Sequence, residues 1–416
     1  MTTALRARFF DPQTLARLAD WLAVGVAVSL PWSTSVSGIL IALWLAAVLP
    51  SMNVDMVRRE LMTAAGGLPV LLWVLAAVGM VWADVTWSER IVGLGKFHRL
   101  LVIPLLLAHF RRSEHGIWVL YGYLAAALGV LVASWALALT PGPTWRGAAF
   151  GVPAKDYIFQ GESFAICAVA LVVRACEGRA REWRLALGLV ALALLFLADI
   201  FFIATGRTAL LVLPVLVALA GWRQFGWKGL LGAGLAGCIV GSAVWFESPY
   251  LRARLNGSVA EFQAYRASDS PNSTGLHLEF LKKSWEIVAT APVIGHGTGS
   301  TAEQFRSVTA GQTGASSAVT PNPHNQVFAV AIQLGLAGAG ILVAMWIAHF
   351  LLFRGGGLTA LIGAIVVVEN VVSSLFNSHL FDFTQGWLYV FGVGVAGGMV
   401  LRERDCAPPA RRMAKP

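Results

Sequence analysis

The sequence predicts an all-α polytopic membrane protein of about 12 transmembrane helices, with one large, partly helical loop outside the membrane. Three observations predict it. The 416-residue chain is 57% hydrophobic and 13% charged, where a water-soluble chain carries about 25% charged residues. Its mean hydropathy is +0.69. Its apolar residues gather into runs able to cross a bilayer, while polar residues concentrate in one stretch, 247–323.

The runs fall at 18–33, 36–51, 67–84, 95–110, 116–140, 158–175, 185–204, 207–221, 228–246, 324–353, 357–376 and 385–401, against a requirement of about 20 apolar residues per span. Pro31 divides the first two, and Thr205-Gly206-Arg207 divides the seventh from the eighth. Arg6, Arg8 and Arg17 precede the first run, but no small-residue cleavage site follows before Pro31-Trp32, so this segment is expected to remain as a helix. The organisation expected is a helix bundle over 1–246, the loop over 247–323, further membrane helices over 324–401, and a basic, Pro-containing, disordered cytoplasmic tail over 402–416.

Orientation follows from the cations. Arg58 and Arg59, Arg111 and Arg112, Arg174 to Arg184, Arg223 and Lys228, Arg354, and Arg402 onward cluster densely in connections on one side, which is therefore cytoplasmic with both termini. The loop 247–323 then faces outward. The net charge of +9 needs no nucleic-acid partner, because topology alone demands excess Lys and Arg inside. The four cysteines, Cys167, Cys176, Cys238 and Cys406, match neither a disulfide framework nor metal-site spacing.

The remaining cations are Arg90, Lys96, Arg99, Arg146, Lys155, Arg207, Arg252, Arg254, Arg266, Lys282, Lys283 and Arg306. A positive outer face runs against the usual bias, and an anionic ligand approached from that side explains part of it. Snorkelling and solvated loop charge account for at least half.

His324 stands in Asn322-Pro323-His324-Asn325, where the apolar run begins. Pro323 suits a first helical position and Asn322 a cap. The positive end of a helix disfavours imidazolium, and a neutral imidazole can accept a proton. Gly335, Gly338 and Gly340 follow, permitting close helix approach. Arg207 opens another helix, where a guanidinium adds to the dipole and can bind phosphate through two parallel hydrogen bonds. In this topology His324 and Arg207 share depth and face. Asn325, Lys96, Arg99 and Arg146 are further candidates around the anion. Residues 276–289 have helical periodicity, and the glycine-rich run 292–299 is read as loop, since no βαβ unit surrounds it. His277 and His296 are read as structural or surface residues, and Asp199 and Glu369 as helix–helix glue. The other five histidines are read as interfacial or packed.

The chain resembles the O-antigen ligase family. The resemblance rests on His324-Asn325 followed by nine residues, Gly335, two residues and Gly338; on the Arg-x-x-x-Leu pattern from Arg207 to Leu211; and on a large loop ending in Pro-x-x-Gly-x-Gly-x-Gly. It covers roughly 205–340. Relatives often carry an arginine in the loop shortly before its amphipathic helix; here that role is carried to Arg266, with His277 lying nearer. The resemblance implies a GT-C-like glycosyltransferase that moves polysaccharide from undecaprenyl pyrophosphate to a hydroxyl of lipid A–core, without cofactor or metal. It implies His324 as base, Arg207 and Arg266 on pyrophosphate, and membrane lipids as surroundings. A polymerase or oligosaccharyltransferase of the same superfamily, or a transporter of lipid-linked anions, remains as an alternative.

Overall fold

The computed structural model describes residues 11–140, 150–178, 182–204 and 206–406, and among these the regular elements are helices. Arg146, Thr205, the Arg254 side chain and the segment beyond 406 lie outside the described residues.

The elements run α1 (Pro12–Ser29), α2 (Thr34–Val48), α3 (Val54–Leu61), α4 (Ala64–Gly79), α5 (Trp87–Gly95), a 3-10 turn (His98–Leu101), α6 (Val102–Phe110), α7 (Gly116–Leu139), α8 (Tyr157–Cys176), α9 (Trp183–Phe202), α10 (Arg207–Phe225) and α11 (Trp227–Glu247). There follow α12 (Pro249–Ser268), α13 (Ser273–Thr290), α14 (Thr301–Thr309), α15 (Gln326–Leu352), α16 (Leu358–Ser373) and α17 (Phe383–Cys406). Polar caps start many of them. Asp11, Ser33, Thr63, Asp156 and Asn272 each accept a first-turn N–H, and Thr86 with Glu89 forms a capping box.

Each of the twelve apolar runs falls on a helix. Among the described residues, eight helices are long and apolar enough to span a membrane, or up to 10 if the bent pairs α3–α4 and α5–α6 each count as one span. The runs in α1 and α16 are outside that set: α16 has only 16 residues, and α1 carries Arg17 and Asp20.

Burial separates the centre of the bundle from its rim. The windows in α8 and α17 are 72% and 78% buried, whereas that of α11 is 6% buried and stands exposed nearly all round. One apolar core joins α1, α2, α4, α6, α15 and α17 through Trp44, Phe97, Phe110 and Tyr389; a second joins α7 to α10 through Phe159, Phe164 and Phe196. Asp199 lies in this second core, accepting from Ser134 Oγ at 2.5 Å and Gln160 Nε2 at 3.0 Å, so it ties α7, α8 and α9 together.

The expected tail is partly helix. α17 continues through 402–406, because Arg402 pairs with Glu114, and Asp405 accepts from Arg111 Nε at 2.8 Å. Ion pairs between elements hold what local composition alone would leave loose.

Above the bundle sits a polar layer of α12, α13 and α14, built on Phe280, Ile287, Val288 and Phe305 against Ala331, Ile332 and Ala339 of α15. Its link to the bundle corrects the expectation for the glycines. α15 is broken at Gly335 (φ 63°, ψ −165°), a conformation costly for any L side chain. Segment 292–299 enters that break. His296 N donates to Ile332 O at 2.9 Å and Gly297 N to Gln333 O at 2.8 Å, while Leu336 N donates to Pro292 O at 2.7 Å. Each half-helix therefore recovers the hydrogen bonds lost at the break, as non-helical backbone at membrane depth requires. A Cβ on Gly335 would lie 2.2 Å from Val293 O, and one on Gly295 2.5 Å from Gly335 N. Gly335 thus serves a backbone interlock rather than helix–helix approach. A Cβ on Gly338 would meet its own helix at Leu334, and one on Gly340 would meet nothing within 4 Å.

Candidate active site

His324 lies one residue outside the helix. The N-cap of α15 is Asn325, whose side chain accepts from Phe328 N at 3.1 Å and donates to Leu375 O at 3.2 Å. The cap expected at Asn322 serves a different turn: its Oδ1 accepts from His324 N at 3.0 Å. Pro323 is buried, and His324 takes a left-handed conformation (φ 53°), uncommon for a residue with a Cβ. This turn swings the imidazole away from the helix axis and toward the polar layer.

There it meets α13. The His324 and His277 ring centroids are 4.6 Å apart at 56°, and the Phe280 ring stacks on His324 at 5.6 Å and 12°. Burial disfavours the imidazolium and holds His324 below its ordinary range, opposed by the Asn377 side chain and the Asp382 carboxylate. For His277, burial and then the nearby His324 and Arg207 charges bring the value down to about 4. Both rings are therefore neutral near pH 7, and burial is the main cause.

Arg207 begins α10 on the other side of this group. Its Nη1 donates to Ser258 Oγ at 3.0 Å and its Nη2 to Ser273 Oγ at 3.1 Å, with a Glu261 oxygen at 3.9 Å. The two hydroxyls orient the fork without neutralising it. Glu261 is shared with Thr274, whose Oγ1 donates to it at 2.6 Å. Two neutral imidazoles beside an oriented guanidinium can take a proton and compensate an anion.

The other candidates divide. Lys96 Nζ donates to Pro321 O at 3.5 Å and stands 5.9 Å over the Phe381 ring; Arg99 donates to the carbonyls of Asp382 and of Phe381, the latter at 3.0 Å. Lys96 thus holds the backbone just before His324, and Arg99 that of the α16–α17 connection. Arg266 lies exposed on α12, over the Phe262 ring at 6.0 Å. Arg146 lies outside the described residues. Of the remaining outer cations, Arg90 is bound to the Val85 and Met80 carbonyls, Arg306 to Glu303 and Glu89, and Lys283 to Glu279 and Gln312. Among the described residues, no group of three or more His, Cys, Asp or Glu side chains is arranged to hold a metal ion.

A family model described as O-antigen ligase matches residues 190–343. This stretch, over a third of the chain, is similar to the O-antigen ligase family. No curated protein matches the chain. The matched segment takes in Arg207, His277 and His324 together, and excludes Lys96, Arg99 and Asp382. Beside His324, His277 is the residue that sequence reasoning passed over. The signal was its spacing: His277 and Phe280 stand at i and i+3, on one face of α13. Asn377 and Asp382, which reach the site from the α16–α17 connection, left no comparable sign.

Proposed function

We propose that this protein is a ligase transferring polysaccharide from undecaprenyl pyrophosphate to a sugar hydroxyl of lipid A–core, at the periplasmic face of a bacterial inner membrane. The family match supports a ligase- or polymerase-type role in O-antigen and lipopolysaccharide synthesis. The observation that carries the finer reading is the convergence of Arg207, His277 and His324 under one polar layer, at the edge of membrane-length helices. The cation clusters support cytoplasmic termini and an outward 247–323 layer.

A glycosyl pyrophosphate is already activated, so the protein's task is to stabilise charge and move one proton. The acceptor oxygen attacks the anomeric carbon as its proton passes to the neutral His324. The bond from that carbon to the pyrophosphate oxygen breaks, and its electron pair leaves with the pyrophosphate. Arg207, held in place beforehand, compensates the growing charge; such preorganised groups are often the largest catalytic term. Attack opposite the leaving group inverts the anomeric centre. Arg266, exposed on α12, is the second cation assigned to the pyrophosphate.

The test is reconstitution. Purified protein is incubated with a lipid-linked glycan and lipid A–core, with and without a chelator, and the core is followed by its band shift. Transfer to lipid A–core supports the ligase; extension of the lipid-linked glycan instead assigns a polymerase; neither product overturns the reading.

A further inference from the structure

Behind His324 the bundle buries a set of polar groups that the mechanism above does not use. Glu162 of α8 is fully buried, as is His379 in the α16–α17 connection. His379 Nε2 lies 3.2 Å from Glu162 Oε1, and its Nδ1 lies 3.4 Å from Asp382 Oδ2. Neither imidazole nitrogen and neither Glu162 oxygen completes a directed hydrogen bond with protein. Intramembrane ionisable groups are costly and mark function by default, and a buried polar group without a full set of partners calls for an explanation.

The connection supplies one. Asp382 Oδ2, which faces His379, accepts from Asn377 Nδ2 at 3.0 Å. Asn377 Oδ1 accepts from Asn322 Nδ2 at 2.8 Å, and Asn322 Oδ1 accepts from His324 N at 3.0 Å. A second tie runs beside the first: Gln326 Oε1 accepts from Leu380 N at 3.0 Å, and Gln326 N donates to Ser374 O at 2.9 Å. The loop that holds His324 in its left-handed turn is therefore bound by Arg99 at its carbonyls, and it sets His379 against the buried Glu162 carboxyl. A left-handed non-glycine residue persists only where its surroundings over-determine it.

We propose that Glu162 and His379 are positioning residues that fix the orientation and set the basicity of His324, acting through Asp382 and Asn377. This rests on His324 being the base. The charged and titratable groups around His324 are His277 from α13, Lys96 at Pro321, and Asp382 and His379 from the connection; those around His379 are Glu162, Glu369 and Asp382. His379 depresses the basicity of His324 and Asp382 raises it. Replacing His379 removes this opposing influence, so His324 becomes easier to protonate and the acid limb of the rate profile moves to higher pH.

The experiment uses the full-length protein with lipid-linked glycan and lipid A–core, assayed across about pH 5 to 8. The variants are H379Q, E162Q and H324A. H379Q and E162Q are expected to lower kcat about tenfold or more with donor KM unchanged, as losses of outer-layer partners do, and H379Q to shift the acid limb upward. E162Q, which keeps side-chain volume, carries the test if H379Q does not accumulate. Peptide-resolved modification of His324 by diethyl pyrocarbonate against pH reads the same shift without turnover. Melting temperatures that fall while kcat per folded molecule and the pH profile stay as in wild type would make the pair purely structural and overturn the proposal. If H324A retains activity, the base assignment fails first; if H324A is inactive while E162Q and H379Q match wild type, only the present proposal fails.

Discussion

Two histidine clusters occupy opposite ends of α6 and its neighbours, and they are built on opposite principles. At one end, Asp20 of α1 stands between His109 Nε2 at 2.7 Å and His115 Nδ1 at 3.1 Å, with both members of the His109 pair nearly buried. At the other, His324 meets a second imidazole and an aromatic face, with the Arg207 charge acting on His277 and no carboxylate between the two rings. In the first cluster the carboxylate stands between the two rings and partners one nitrogen of each. In the second, burial holds both rings below their ordinary range, so there is capacity to accept a proton when an acceptor hydroxyl arrives. The contrast teaches that a histidine's partners, more than its position at a membrane boundary, decide whether it is structural or reactive.

The sharpest way to break this comparison is to remove one ring from the reactive cluster. H324A is expected to lower the ligation rate by about 10²–10⁴-fold, the range attributed to general-base catalysis, while folding remains intact; near-normal turnover would sink the assignment. R207K keeps the charge but loses the planar fork that bridges Ser258 and Ser273, and a fall of about tenfold or more in kcat/KM is expected from the loss of bidentate geometry. A mutant as active as wild type would show that a point charge suffices.

The opposite cluster should respond in stability instead. Asp20→Ala leaves His109 and His115 without their partner, and removing one member of a buried pair costs about 3–5 kcal/mol. The melting temperature should fall while ligation per folded molecule is unchanged. A comparable loss of turnover would mean that the two ends are coupled. The smallest effect expected is one of pH. His277 titrates at about 4 in the folded protein against an ordinary 6.5, so the unfolded chain takes up the proton first. Stability present above pH 6.5 is lost as pH falls toward about 4. The difference between wild type and H277N in melting temperature should close through that window, and a pH-independent difference would contradict the neutral ring.

Much of the architecture was legible in the chain. The apolar runs mark the helices because spanning length and hydropathy are local properties, and α13 is announced by the periodicity of 276–289. The α17 extension through 402–406 was not, since it rests on Arg111 and Glu114 from another part of the chain. α12 was missed as well, because most of its side chains are exposed and its apolar residues form no clear stripe.

The site divides in the same way. His324 and Arg207 could be singled out because a titratable group at the edge of an apolar run is unusual wherever it falls. Lys96 and Arg99 were read as anion ligands, yet their nearest partners are backbone carbonyls, which no spacing along the chain reveals. The sequence by itself determined the membrane class, the order of the helices, and the glycines at 295 and 335, since hydropathy and backbone freedom are written residue by residue. Only the tertiary structure decided that these two glycines interlock across a broken helix, that His277 stands against His324, and that Glu162 reaches the site through His379. Those pairings join residues far apart in the chain, and their energies depend on burial and distance, which exist only once the bundle has closed.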